Sequence, residues 1–359
     1  MKMKKKYPAL FVALFVIVLM LVGCSGSEAE PEPAKDTAGD SGTATEAPAK
    51  SLTPVTLQLK WVPQAQFAGY FVALEKGYYE EEGLDVTVLP GGPDIVPEQQ
   101  VANGTAQIGV NWVASLLPHQ EQGMPLVEIA QIYQKSGLQL VTMKDSGINT
   151  PADLAGKSVG NWMGGNEFEL LALFDKYNLD RNKDFNFVKQ AFTMDQFLTG
   201  ELDAASVMTY NEYHVVLASG VPAEDLNIID MNEEGVAMLE DNLFANSEWL
   251  ADNKEIAAAF VKASLKGWKE AIENPEAAVE TIMAQVDEGS TTKEHQLVMM
   301  QEVAKLVAPE GFDLAKLGVI DADMYQQTAD IAHKYGVIKN PADLTTSYTN
   351  EIMDMVLAQ

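Results

Sequence analysis

Four short stretches set an aromatic ring beside an amide or a carboxylate: Lys60 to Phe67 (Lys-Trp-Val-Pro-Gln-Ala-Gln-Phe), Asn111-Trp112, Asn161 to Glu167 (Asn-Trp-Met-Gly-Gly-Asn-Glu) and Tyr210-Asn211-Glu212. Rings offer stacking faces, while Asn, Gln and Glu offer hydrogen bonds in the plane of whatever is stacked. A flat, apolar solute with a polar rim needs both. The candidate ligand-binding residues are therefore Trp61, Gln64, Gln66, Phe67, Asn111, Trp112, Asn161, Trp162, Gly165, Asn166, Glu167, Tyr210, Asn211 and Glu212. The competing reading places Trp61, Trp112 and Trp162 in the core, the commoner fate of a single tryptophan. Four clusters of one kind favour a site.

Covalent chemistry finds little support. His119, His214, His295 and His333 have no spacing that sets two on one helical face, so no metal site is expected. No Gly-x-Ser-x-Gly turn is present, and the only cysteine is Cys24. Gly164-Gly165 could present N–H groups to an anion, yet no dinucleotide fingerprint or Walker-type lysine accompanies the pair. The glycines equally let the backbone approach a ligand closely. Glu167 also suits the positive end of a helix dipole. Tyr78, Tyr79 and Glu80 to Glu82 read as the solvated end of a helix closed by Gly83, without a ligand role. No catalytic residue and no cofactor are assigned.

The elements that must position these clusters are legible as short apolar runs alternating with amphipathic stretches. The runs are Val55 to Leu59, Leu84 to Leu89, Ala106 to Val110, Leu126 to Ile132, Leu138 to Met143, Ser158 to Asn161, Phe185 to Val188 and Ala204 to Met208. Strands alternating with helices predict an α/β fold. Thr150-Pro151 marks a helix start by its cap and its proline. After about Leu243 the pattern turns almost wholly helical, over Ser247 to Val286 and Lys293 to Val307. In open α/β sheets ligands lie beyond the carboxyl ends of strands, and each of the four clusters follows an expected strand.

The chain begins with Lys2, Lys4, Lys5 and Lys6 and an apolar run from Tyr7 to Val22, the order of a signal peptide. That run is shorter than the roughly 20 residues of a spanning helix. It ends in Leu21-Val22-Gly23-Cys24, which resembles the lipobox of bacterial lipoproteins, so residues 1–23 are expected to be removed and Cys24 to be acylated. Residues 24–51 are rich in Ser, Gly, Ala, Pro, Thr and Glu and read as a flexible tether. The expected location is the cell membrane, lipid-anchored and facing outward. The whole chain carries a formal charge of −28, and loss of four leader lysines with no acids brings it to −32. Nucleic-acid binding, which rests on a basic patch, is not expected. A length of 359 residues with 47% hydrophobic residues predicts two domains or lobes.

Leu57 to Val88, with Leu-Lys-Trp-Val-Pro-Gln-Ala-Gln-Phe-Ala-Gly-Tyr-Phe-Val-Ala, Lys76-Gly77-Tyr78-Tyr79 and Glu82-Gly83-Leu84-Asp85-Val86, resembles the opening of ABC-transporter solute-binding proteins related to thiamine-pyrimidine synthase. Asn103 to Val110, Asp153 to Gly160 and Gly200 to Ala205 extend the resemblance over most of Leu52 to Leu250. It implies a two-lobed type II periplasmic-binding fold with a ligand cleft between lobes: lobe 1 at 52–140, lobe 2 at 141–242 and a helical return to lobe 1 at 243–359. It further implies a monomer that hands a small planar vitamin or precursor to an ABC transporter permease by closing around it. Members that bind the thiamine pyrimidine precursor carry an Asn-Thr-Asn-His type sequence in the first turn, where this chain has Pro63-Gln64-Ala65-Gln66-Phe67. The turn looks more like that of riboflavin-binding members of vitamin importers. A formylaminopyrimidine or hydroxymethylpyrimidine remains the alternative ligand. The enzyme branch of the family depends on a cysteine-rich iron motif, and Cys24 alone does not supply one.

Overall fold

The computed structural model describes residues 51–163 and 165–359. Cys24, the leader 1–23, the stretch 24–50 and Gly164 lie outside the described residues. The apolar runs form two five-stranded sheets. The first contains β1 (Thr53–Gln58), β2 (Leu84–Leu89), β3 (Ile108–Asn111), β4 (Leu126–Gln131) and, from far along the chain, β10 (Asn242–Asn246), in the order β2-β1-β3-β10-β4. The second contains β5 (Leu138–Met143), β6 (Ser158–Asn161), β7 (Asn186–Lys189), β8 (Ala204–Met208) and β9 (Leu226–Asp230), in the order β7-β6-β8-β5-β9.

Pairing within each sheet explains its sequence. β1 pairs in parallel with β2 and β3, and β6 with β7 and β8. Strands covered on both faces read as largely apolar runs; β4 and β8 are wholly buried, and apart from Glu128, Gln131 and Ser206 they are apolar. β10 enters antiparallel between β3 and β4, and β5 antiparallel between β8 and β9. The chain passes from one sheet to the other twice, through residues 132–137 and 231–241.

All eight expected strands are present, with differences only at their ends, and two more appear. β10 runs directly into the helix Ser247–Asp252, and an apolar run beside a helix start cannot be told from that helix by periodicity. The helical return consists mainly of Ser247–Asp252, Lys254–Glu273, Pro275–Met283 and Lys293–Val307. Lys254–Glu273 packs against Ala68–Glu75 at Gly267, where a Cβ would lie 2.1 Å from the Gly69 carbonyl oxygen. Only glycine permits that approach. Next to it Trp268, 1% exposed, sits edge-on to Tyr70 at 5.6 Å. Truncating such a side chain costs about 3–5 kcal/mol.

The segment from Glu75 to Gly83 corrects the sequence reading. The helix Ala68–Glu75 stops, Gly77 adopts φ +71°, and a separate turn Tyr78–Glu81 follows. Tyr79 is core rather than solvated: it stacks on Phe260 at 5.2 Å, and its hydroxyl lies 2.9 Å from Ser264 Oγ. Among the described residues no helix is long and apolar enough to cross a membrane.

Candidate functional site

The carboxyl ends of β1, β3, β6 and β8 open onto one cleft of about 610 Å³ between the sheets. From the first sheet Trp61, Gln64, Gln66, Asn111 and Trp112 line it, and from the second Trp162, Asn166, Tyr210, Asn211 and Glu212. Trp61, Trp112 and Trp162 are half-buried, so each is placed to present part of its ring to the cleft. The core tryptophan is Trp268 instead.

Four candidates do not line this cleft. Phe67 is fully buried in the core, because the turn Ala65–Phe67 leads directly into the helix Ala68–Glu75. Asn161 is buried and shapes its turn: Nδ2 donates to Asn166 Oδ1 at 2.8 Å and to Ser206 Oγ at 2.9 Å, and Oδ1 accepts from Met163 N at 2.7 Å. Glu167 Oε2 accepts from Gly165 N at 2.8 Å. Gly165 has φ +113°, and a Cβ there would stand 2.7 Å from Ser115 Oγ. Glycine thus lets the second sheet's turn close onto the helix Val113–Glu121.

Several cleft amides are already engaged by the protein. Gln64 Nε2 donates to Gln66 Oε1 at 2.7 Å, and Gln66 Nε2 donates to Asp241 Oδ2 at 2.9 Å. Trp112 Nε1 donates to Asp241 Oδ1, also at 2.9 Å. Asp241, 2% exposed and at φ +30°, is therefore the hub that fixes two of the four clusters. Asn111 Nδ2 donates to Glu98 Oε1 at 2.8 Å. Lys60 Nζ lies 3.0 Å from the centroid of the Trp112 ring, a cation–π contact that covers one ring face. Burial pushes Lys60 down to about 8, against the opposing pull of Asp241, Glu240 and Glu98. Burial likewise raises Asp241, and Lys60 opposes that rise.

On the second sheet's side, Glu212 is capped by Met208 N at 3.0 Å and Asn211 Nδ2 at 2.9 Å, while burial raises its pKa. Since Asn211 Nδ2 donates to Glu212, its Oδ1 is the acceptor for His295 Nε2 at 2.8 Å. His295 must then carry its proton on Nε2. Burial lowers its pKa, which favours the neutral ring. A second contact spans the cleft: Trp61 and Phe192 lie 5.0 Å apart, inclined by 48°. Tyr210 meets Tyr133 edge-on at 6.3 Å. Trp162 Nε1 donates to Ala191 O at 3.2 Å, in the same loop as Phe192.

Lys60, Phe192, Asp241 and His295 escaped the candidate set. Lys60 adjoins Trp61 and could have been found by following the strand end one residue back. Asp241 precedes β10, a strand the pattern did not reveal. Phe192 stands in a loop and carries no periodic signal. Among the described residues no group of three or more His, Cys, Asp or Glu is placed to hold a metal ion. The site as built can stack, hydrogen-bond and enclose a planar solute.

Known proteins share this architecture. A formylaminopyrimidine-binding protein of Halalkalibacterium halodurans is 24% identical over 340 residues, covering 92% of this chain and 94% of that protein. The riboflavin-binding protein RibY of Chloroflexus aurantiacus is 25% identical over 354 residues, covering 94% and 95%. The periplasmic aliphatic sulphonate-binding protein of Escherichia coli has the same fold at a TM-score of 0.62 with 16% identity, covering 82% of this chain and 92% of that one. The two-lobed periplasmic-binding fold is thus shared. The family model described as NMT1/THI5 like matches residues 64–278, and the chain belongs to that family.

Proposed function

We propose that this chain is the extracytoplasmic solute-binding component of an ABC importer, and that its cargo is riboflavin. The observation that carries the reading is the cleft itself: indole and phenol rings from four strand ends, with amides and a carboxylate between them, around about 610 Å³. A volume of this order suits a drug-sized ligand, with a mostly apolar lining and a few placed polar groups. The isoalloxazine ring is planar, with amide-like edges. The similarity to a riboflavin-binding relative supports the same ligand.

With the passages at 132–137 and 231–241 acting as the hinge between the sheets, a ligand that touches both sheets would favour a closed form by its extra contacts. Delivery to a permease follows from that closure. Cys24, acylated, would hold the protein at the membrane, since each buried methylene of an acyl chain contributes roughly 0.8 kcal/mol. A synthase reading is disfavoured because Cys24 is the sole cysteine, so the cysteine-rich iron motif of the enzyme branch has no residues to form it.

A thiamine pyrimidine precursor is the second reading, favoured by the similarity to a formylaminopyrimidine-binding relative. Titration of riboflavin with the purified chain discriminates the two. Quenched flavin fluorescence at a one-to-one endpoint is the expected result. No quenching, with a thermal shift by the formylated aminopyrimidine, would transfer the assignment.

A further inference from the structure

A second cavity of about 380 Å³ adjoins the main cleft and shares Gln64, Phe192, Asn211 and Glu212 with it. Its lining differs in kind. Among the described residues no tryptophan or tyrosine lines it; the segment 290–295 supplies the hydroxyls of Ser290, Thr291 and Thr292 with the imidazole of His295, and Val62, Val215 and Met299 supply apolar surface. Phe192, 54% exposed, stands at the join between the two compartments.

The polar wall retains hydrogen-bonding capacity. Thr291 Oγ1 accepts from Gln296 Nε2 at 3.1 Å and Thr292 Oγ1 accepts from His295 N at 3.2 Å, so both hydroxyl protons stay free to donate. Ser290 Oγ donates to Asp287 O at 2.7 Å and keeps its lone pairs. With Nε2 of His295 turned to Asn211, its Nδ1 is an acceptor. Donors and acceptors from one short segment therefore share the cavity with aliphatic surface. A chain whose every carbon presents C–H on one side and O–H on the other matches both. Among the described residues no lysine or arginine lines the cavity, and Glu212 is shared with the main cleft, so a terminal phosphate finds no cationic partner among them.

We propose that this second cavity is a subsite for an uncharged polyhydroxylated chain attached to the ring held in the main cleft. The cargo class is then a planar ring bearing a polyol, neither a bare ring nor its phosphate ester. This rests on the reading that the main cleft takes a flavin ring.

The test is a fluorescence titration of the purified full-length chain with riboflavin, with lumiflavin, which has a methyl group in place of the tail, and with the 5′-phosphate of riboflavin. Riboflavin is expected to bind at least tenfold more tightly than either. A double variant, Ser290→Ala with Thr291→Val, should lose most of that advantage while its lumiflavin affinity stays put. Equal affinity of the wild-type chain for riboflavin and lumiflavin would overturn the subsite and leave the ring reading standing. Equal losses for both ligands in the double variant would make the hydroxyls structural and overturn it as well. If neither flavin binds and an aminopyrimidine does, the ring reading falls and takes the subsite with it.

Discussion

Glu169 and Glu240 converge on one hydroxyl: Ser136 Oγ lies 2.9 Å from Glu169 Oε2 and 2.8 Å from Glu240 Oε1. A hydroxyl has a single proton to donate, and Leu138 N already donates to the same oxygen at 3.1 Å. Both short contacts hold a hydrogen only if one carboxyl is protonated. The outer oxygens are fixed by Gly137 N on Glu240 at 3.0 Å and Met238 N on Glu169 at 2.8 Å. This cluster binds both passages between the sheets to the helix Phe168–Lys176.

A pH dependence of stability follows from that shared proton. Burial pushes Glu240 up to about 7, with Asp241 adding to the rise and Lys60 opposing it. Burial also raises Glu169, and the charges of Glu240 and Asp230 raise it further. An unfolded glutamate titrates near 4.3. A raised folded pKa means that stability is fully present below the unfolded value and is lost as pH rises through the folded one. The melting temperature should therefore fall between about pH 4 and pH 7 and level off above that, with a limiting slope of about 1.4 kcal/mol per pH unit for one proton. Glu240→Gln keeps an N–H to donate to Ser136 without titrating, and should flatten the slope. A variant that melts with the wild-type pH profile would remove the shared proton from the account.

Asp241 stands behind the cleft and holds residues of two of its clusters. Asp241→Ala leaves Gln66 Nε2 and Trp112 Nε1 without their acceptor and removes the carboxylate whose charge most favours Lys60 in its charged form. Breaking a buried charged network from one side costs about 3–5 kcal/mol. Urea unfolding should show a loss of that order. A change below about 1 kcal/mol would mean that water replaces the carboxylate at no great cost.

How much of this was legible in sequence depended on local signal. The four ring-and-amide clusters were readable because each follows an apolar run, and ten of the fourteen candidates line the cleft. Asn161, Gly165 and Glu167 belong to the right turn but spend their polar groups on its own geometry, a choice set by distances no spacing reveals. Phe67 has the composition of a site residue and the position of a core one. Asp241 and His295 come from segments more than a hundred residues away from Trp61, brought in by β10 and by the helix Lys293–Val307. Such partnerships are tertiary and leave no period behind.

Phe192 separates binding from folding. Because it is 54% exposed, Phe192→Ala should change stability by less than about 0.5 kcal/mol. Its ring, 5.0 Å from Trp61, nonetheless closes the cleft from the opposite sheet. A ligand ring resting on Phe192 would gain about 0.5–1.5 kcal/mol from the aromatic contact beyond the area it buries, so riboflavin affinity should drop several-fold to tenfold with little change in melting temperature. Trp162→Ala should weaken binding by about 1–2 kcal/mol on the same grounds. Unaltered affinity in both variants would place the ring of the ligand elsewhere.

Cys24→Ala tests the anchor apart from the cleft. Every described residue lining the cleft lies between Lys60 and Glu212, and the first described strand begins at Thr53. If acylated Cys24 alone holds the chain at the bilayer, the variant should leave the membrane fraction while its riboflavin affinity matches that of the wild type. A variant that stays with the membrane through a carbonate wash would instead point to retention of the apolar run Tyr7 to Val22. Loss of ligand affinity would mean that residues before 51 take part in binding. The thiol also bears on chemistry: with Cys24 the only cysteine, a cysteine-rich iron site in this family member would have to recruit other ligands. An acylated Cys24 would not be free to serve even as one of them.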